Sequence, residues 1–310
     1  MPQALGLRIG MALRLNPYNA MQLARIFNFI ACLGIYIASL MLIPHAKTLV
    51  AIIASIPTVC FVSSSVMADG LTIALPTLLT ALALRAIDAD APMKTPTIVS
   101  ITVISAMICY IKVLYLVPLL IVLVLPHYIF PLRKKIYMSS TLTIVFISYM
   151  IWRHFFGSVA YLANYQENLH YAGQHFLHVT SAIAINIIAG WGNLIPDNSY
   201  ITVITVLLVT MTSIPLFINI NYKTTTFTQF ISKNRYLFVA IFGAVLAWAL
   251  TYGFMALTWN NLSAIGAHGF LEGVQGRHAL PLFPLLTVTS VYTGNKEPLE
   301  PAYRGWMSRV

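Results

Sequence analysis

Charge is what this chain has least of. Asp, Glu, Lys and Arg together make up 8% of its 310 residues, against about 25% in soluble domains. A soluble fold of this size could not cover so much apolar surface. Other absences narrow the field. No P-loop, GxSxG or HExxH occurs, so nothing supports ATP-driven transport or serine or zinc hydrolysis. The three cysteines, Cys32, Cys60 and Cys109, lack CxxC spacing and lie in apolar runs. They read as small buried hydrophobes, not as disulfides or metal ligands. The first residues carry Arg8 and Arg14 within a weak apolar pattern, unlike a cleavable signal peptide. Short segments of alternating apolarity are missing as well, which excludes an outer-membrane barrel.

What is present is continuous apolarity. Hydrophobic residues make up 59% of the chain, and mean hydropathy is +0.81. A membrane helix takes roughly 20 apolar residues, so the length allows about nine spans. The apolar runs fall at 22–43, 48–67, 70–87, 97–111, 113–130, 136–156, 199–220, 236–258 and 278–293. The expected fold is therefore an all-α polytopic transmembrane bundle. The fourth and fifth runs are separated only by Lys112, so one long span broken by a turn is the alternative there.

The net charge of +10 does not signal nucleic acid, because most Lys and Arg residues sit between apolar runs. Three basic clusters stand out: Arg133-Lys134-Lys135, then Lys223, Lys233 and Arg235, then Lys296, Arg304 and Arg309. Placing all three inside makes the spans alternate consistently and puts Lys47, Arg85 and Lys94 inside too. Segments 158–198 and 259–276 then fall outside, and neither contains Lys or Arg. The C-terminal tail, 294–310, becomes cytoplasmic. One conflict follows, because Arg8, Arg14 and Arg25 land outside. Either residues 1–21 belong to an outer loop or an interfacial amphipathic helix, or the fourth and fifth runs are one span.

Charges at membrane depth are expensive and invite a functional question. Arg25, Asp69, Lys112, Arg153, His154 and Arg277 all fall near the outer ends of spans. For Arg153 and His154, interfacial snorkelling suffices. Asp69 is short and cannot snorkel far; with Ser63, Ser64 and Ser65 it could meet a cation, a sugar or a phosphate, or it could simply cap the next helix. Glu272-Gly-Val-Gln275-Gly276-Arg277-His278 sits where an outer loop meets the last span. Its arginine fork suits a phosphate. His175 and His178 have helical spacing, but no further ligand follows a recognisable zinc pattern.

An ordered set of short motifs then carries a resemblance. They are Ala24-Arg25-x-x-Asn28, Ser65-x-x-x-Asp69, Lys112-x-x-Tyr115-x-x-Pro118-Leu119, Gly190-Trp191 with Pro196, and Glu272-Gly273-Val274-Gln275-Gly276-Arg277 with Pro281. In this order they resemble the bacterial membrane-protein family called Domain of Unknown Function 2142, from about residue 20 to 293. His278 stands where that family usually has Tyr, and Asn193 is the nearest residue to its usual Asp. The family usually starts with a further span and a large outer loop, which residues 1–21 do not match. The resemblance thus implies an N-terminally truncated copy and resolves the topology conflict.

That family is similar to membrane glycosyltransferases of the C-type fold, which take a sugar from a polyprenyl-phosphate carrier at the outer face. The resemblance implies that Arg25, Lys112 and Arg277 hold phosphate. It implies that Asp69 acts as base, while Gln275 and Glu272 meet sugar, acceptor or a cation; Asn28, Ser65 and Tyr115 join the binding set. Its partners would be a polyprenyl-phosphate-linked sugar and membrane lipids in the bacterial cytoplasmic membrane. A divalent cation is the only cofactor it admits. A non-catalytic carrier of lipid-linked glycans and an inactive copy are the competing readings; the carrier requires polar residues through the inner half as well.

Overall fold

The computed structural model describes residues 1–156, 165–189, 234–259, 262 and 280–292. Among them every regular element is helical. The α-helices are α1 (Pro2–Ala12), α2 (Pro17–Leu42), α3 (Lys47–Ala54), α4 (Pro57–Ser63), α5 (Asp69–Ala89), α6 (Thr95–Lys112), α7 (Val117–Leu123), α8 (Leu132–Phe156), α9 (Tyr165–Gln174), α10 (Phe176–Ala189) and α11 (Arg235–Trp259). A 3₁₀ turn, Val113–Leu116, joins α6 to α7, and a longer 3₁₀ stretch covers Leu280–Tyr292.

Among the described residues, four helical runs are long and apolar enough to cross a membrane: Pro17–Leu42, Asp69–Ala89, Thr95–Leu123 and Arg235–Thr258. Large apolar side chains such as Phe29, Leu33, Ile37, Ile144, Ile147, Phe242 and Val245 lie exposed on α2, α8 and α11. An apolar periphery of this extent suits lipid and not water. Helix α5 is the centre of the bundle. It packs against α2, α4, α6, α7 and the 280–292 stretch, and nearly every residue from Gly70 to Leu84 is buried.

Two ends of the bundle can be told apart by contacts. At one end His45 Nε2 lies 3.2 Å from Asp88 Oδ1, and Tyr128 donates to Asp90 at 2.6 Å. The Met93 amide donates to the Ile129 carbonyl at 2.9 Å. Lys135 Nζ donates to the carbonyls of Leu123 and Leu125, closing the C-terminus of α7. Burial, and then the nearby Arg235, hold the Lys135 ammonium below the usual lysine range. Lys47, Arg85, Lys94, Arg133, Lys134, Lys135 and Arg235 thus all belong to this basic end. The gathering matches the charge sorting read from sequence.

The contact between residues 93 and 129 also decides the course of the fourth and fifth apolar runs. Helix α6 has 18 residues and rises about 27 Å. The chain must come back over the following residues to reach Met93 again. Thr95–Leu123 is therefore a hairpin with Lys112 at its tip, not one straight span. Lys112 itself takes an extended conformation, with φ −156° and ψ 96°.

The second expected span, 48–67, needs correction. It is not one helix but two, α3 and α4, of 8 and 7 residues. Pro57 lacks an amide hydrogen and disfavours helix at the residue before it, so the ladder breaks at residues 55–56. Hydropathy is blind to that break. The pair still leads from Lys47 at the basic end to Ser63 at the other. Cys60 is likewise corrected: Cys32 and Cys109 are buried, but Cys60 is exposed. The 199–220 run lies outside the described residues, and of the 278–293 run the 3₁₀ stretch is described.

The first span begins earlier than expected, at Pro17, with Asn16 capping it by accepting from the Asn19 amide at 2.8 Å. Before it, α1 lies antiparallel along the first half of α2. The approach is close enough that a Cβ on Gly6 would sit 2.8 Å from Ala24 Cα, and one on Gly10 the same distance from Ala20 Cα. Gly6-x-x-x-Gly10 thus meets Ala20-x-x-x-Ala24, small against small, as close helix packing in membranes requires. Substituting Gly10→Val should lever α1 away from α2. Trypsin should then cut purified protein after Arg14 several-fold faster than the unsubstituted chain; an unchanged rate would show that the packing is not needed.

Candidate functional site

At the end opposite the basic clusters, a short turn between α4 and α5 collects polar groups from three regions of the chain. The turn runs from Ser63 to Asp69. Asn28 on α2 is fully buried. Its Nδ2 donates to the carbonyls of Ser63 at 3.1 Å and Ser65 at 2.9 Å, with Met67 more distant at 3.4 Å. Carbonyls only accept, so the amide nitrogen must face them. That orientation leaves Asn28 Oδ1 buried without a partner among the described residues. A buried orphan costs about 1–3 kcal/mol, a cost the fold tolerates for fixing this turn.

One turn of helix earlier, Arg25 donates from Nε to the Ser64 carbonyl at 2.9 Å. Among the described residues its two Nη groups have no acceptor. Ser65 turns inward: its hydroxyl donates to Val62 O at 2.8 Å and accepts from the Met67 amide at 3.1 Å. The close seat of α5 on α4 depends on Gly70, whose added Cβ would stand 2.8 Å from Ser63 Cα and 3.1 Å from Cys32 Sγ.

Asp69 is the first residue of α5, and Ala68 is the N-cap, with no side-chain capping bond. The capping alternative is thereby set aside. Instead Lys112 Nζ, from the tip of the α6–α7 hairpin, donates to Asp69 Oδ1 at 2.9 Å. The ammonium also stands 5.9 Å from the centre of the buried Tyr115 ring. A positively charged helix N-terminus adds to the attraction felt by the carboxylate. With Arg25 and Lys112 against Asp69, the described part of the cluster carries a net charge of +2 − 1 = +1.

The fold thus brings Arg25, Asn28, Ser65, Asp69, Lys112 and Tyr115 to one place. Asp69 and Lys112 alone are 43 residues apart in sequence. Glu272, Gln275 and Arg277 lie outside the described residues, as do Gly190, Trp191 and Pro196. His154 is exposed beside Phe155 at the end of α8, and the Arg153 side chain is not described. The Asn28 amide nitrogen is engaged by backbone carbonyls, so the side chain positions the turn. Ser63 was missed as an anchor, because a carbonyl role leaves no trace in residue type.

A divalent cation fits the described residues poorly. Hard cations want several free oxygens; here the carbonyls of Ser63, Ser64 and Ser65 are occupied by Arg25 and Asn28, and the carboxylate by a lysine. The outer histidines form a different arrangement. Tyr171 OH bonds His178 Nδ1 at 2.9 Å and the His175 ring stacks 4.5 Å from Tyr171. Among the described residues, no three of His, Cys, Asp and Glu converge for a metal.

The fold and site define a helical membrane protein with a cluster of charged side chains at one end. The sequence profile of the family described as "Predicted membrane protein (DUF2142)" matches residues 1–286, and the chain belongs to that family. No curated protein and no solved structure matches it.

Replacing Asn28 with Ala leaves the turn carbonyls without their donor. Buried hydrogen bonds in membrane bundles contribute about 0.6–1.7 kcal/mol each, so thermal unfolding in detergent should start several degrees lower. An unchanged unfolding temperature would remove Asn28 as the organiser of the site.

Proposed function

We propose that the protein binds a polyprenyl-phosphate-linked sugar at the membrane face opposite its basic clusters and transfers the sugar to a cell-envelope glycan or lipid. The setting is a bacterial cytoplasmic membrane, with the site at the outer face. The observation that supports this reading most is the convergence of Arg25 and Lys112, with Asp69, on one turn at one end of an apolar bundle. Two cations beside a carboxylate suit a reaction with a phosphate leaving group. The acceptor hydroxyl attacks the anomeric carbon as the bond from that carbon to the phosphate oxygen breaks. The electron pair leaves with the phosphate, where Arg25 and Lys112 stabilise the growing charge. The hydroxyl proton goes to the carboxylate of Asp69, the first residue of α5. No step in this scheme is routed through a metal. Arg277, Glu272 and Gln275 are assigned to the same site from the family resemblance.

The test is transfer of a radiolabelled sugar from a polyprenyl phosphate by the full chain in proteoliposomes. Lys112→Ala and Arg25→Ala should each lower transfer by about 100-fold, the scale seen when one donor to a developing charge is removed. Lys94→Ala, at the basic end, should leave it unchanged. Equal transfer by all three variants would contradict the reading.

A further inference from the structure

The basic end carries more positive charge than its acids offset. Arg133, Lys134 and Lys135 lie in the first turn of α8, and Arg235 opens α11. Among the described residues no carboxylate pairs with any of the four. At this end Asp88 stands against His45, and Asp90 accepts from Tyr128. Arg235 is close enough to Lys135 for the two charges to repel each other. An anion shared between them offsets that repulsion.

From these cations a groove of about 550 Å³ runs along α8, within the range of about 300–1,000 Å³ that holds small ligands. Its lining changes character with depth. Leu132, Lys135 and Ile136 form the mouth, Ser139, Ser140 and Thr143 follow, and Ile144 comes last. Spacings of three, four, seven and eight residues put them on one helix face. At 1.5 Å per residue the hydroxyls begin about 6 Å beyond Lys135, and Ile144 lies about 14 Å beyond it. The Thr143 hydroxyl turns back to donate to the Ser139 carbonyl at 2.9 Å, which leaves its methyl group for an apolar neighbour. Ile147 and Ile151, both exposed, continue the face.

We infer that this groove seats an anionic phospholipid of the leaflet at the basic end. The phosphate lies between Lys135 and Arg235, the glycerol esters meet the serine hydroxyls, and an acyl chain follows the isoleucines. Cation, hydroxyl and alkyl along α8 thus match phosphate, ester and chain along the lipid. Lys135 gives two of its three hydrogens to the Leu123 and Leu125 carbonyls, which leaves one for the phosphate. Arg133 shares the helix face of Ser140, seven residues on. Its Nε donates to Tyr137 at 3.2 Å, and its Nη groups extend the cationic mouth. A zwitterionic lipid brings a cation of its own to this mouth, and a soluble phosphate has no chain for the groove. The site lies at the opposite end from the Asp69 cluster and is independent of the sugar-transfer reading.

The test is native mass spectrometry of the full chain in detergent, titrated with dioleoyl phosphatidylglycerol, dioleoyl phosphatidylcholine or glycerol phosphate. Phosphatidylglycerol should bind about tenfold more tightly than phosphatidylcholine, because each cation near a lipid headgroup contributes about a fivefold gain. Arg133→Gln and Arg235→Gln should each weaken phosphatidylglycerol about fivefold and leave phosphatidylcholine unchanged. Lys47→Gln, at the same end but on α3, should change neither. Ser140→Trp fills the groove with every cation in place and should weaken phosphatidylglycerol about tenfold. Arg133 is exposed and bonded only to its neighbour Tyr137 on α8, so its variant keeps the fold and reads binding alone. Equal binding of the two lipids, or full affinity in both Arg133→Gln and Arg235→Gln, would overturn the inference. A loss in Lys47→Gln as large as theirs would replace the site with diffuse attraction to the basic end. Full affinity in Ser140→Trp would remove the groove, and displacement of the lipid by an equal concentration of glycerol phosphate would make the site one for a free anion.

Discussion

The ion pair between Asp69 and Lys112 is the constraint around which the described structure is arranged. A carboxylate or an ammonium near the rim of an apolar bundle is costly alone and tolerable in company. Satisfying both groups fixes where α5 begins and where the α6–α7 hairpin turns. With Lys112 held at the start of α5, the hairpin must lie alongside α5. Its open end then closes at the far side through the Met93 and Ile129 backbone contact. The bundle thus has a basic end, rich in Lys and Arg, and an opposite end where fewer charges are placed with specific partners.

The turn from Ser63 to Asp69 carries the other half of the arrangement. Asn28 and Arg25 reach it from α2 and bind only its carbonyls. Neither contact depends on the identity of the serines, but the Ser65 hydroxyl braces the turn from within, and Gly70 allows its close approach to α5. The helix that presents Asp69 begins at that residue. Positioning and chemistry are divided cleanly. The Asn28 amide nitrogen holds the turn, whereas Lys112 pairs with Asp69 and Arg25 binds by Nε.

Much of this was legible in the sequence. Apolar run length gave the helices α2, α5, α6, α8 and α11, because lipid demands about 20 apolar residues per crossing and little else. Lys and Arg sorting correctly grouped the cations of the basic end. Residues singled out for charge at membrane depth, Arg25, Asp69 and Lys112, proved to share one site. Other features were hidden for physical reasons. The break before Pro57 leaves hydropathy unchanged, so 48–67 read as a single span. The packing of Gly6 and Gly10 on Ala20 and Ala24 depends on a helix that composition marks only weakly. The hold of Asn28 on the turn was hidden because residue type does not show a side chain that faces backbone carbonyls 35 residues away.

Sidedness tests the central claim most directly. In a chain with Cys32, Cys60 and Cys109 replaced, single cysteines at Lys94, Lys112 and Lys134 can be exposed to a membrane-impermeant maleimide from either side of sealed vesicles. The account predicts that Lys112→Cys reacts from one side, and that Lys94→Cys and Lys134→Cys react only from the other. Labelling of Lys112→Cys from the same side as Lys94→Cys, or its protection from both sides as in a straight span, would contradict the hairpin and the site built on its tip.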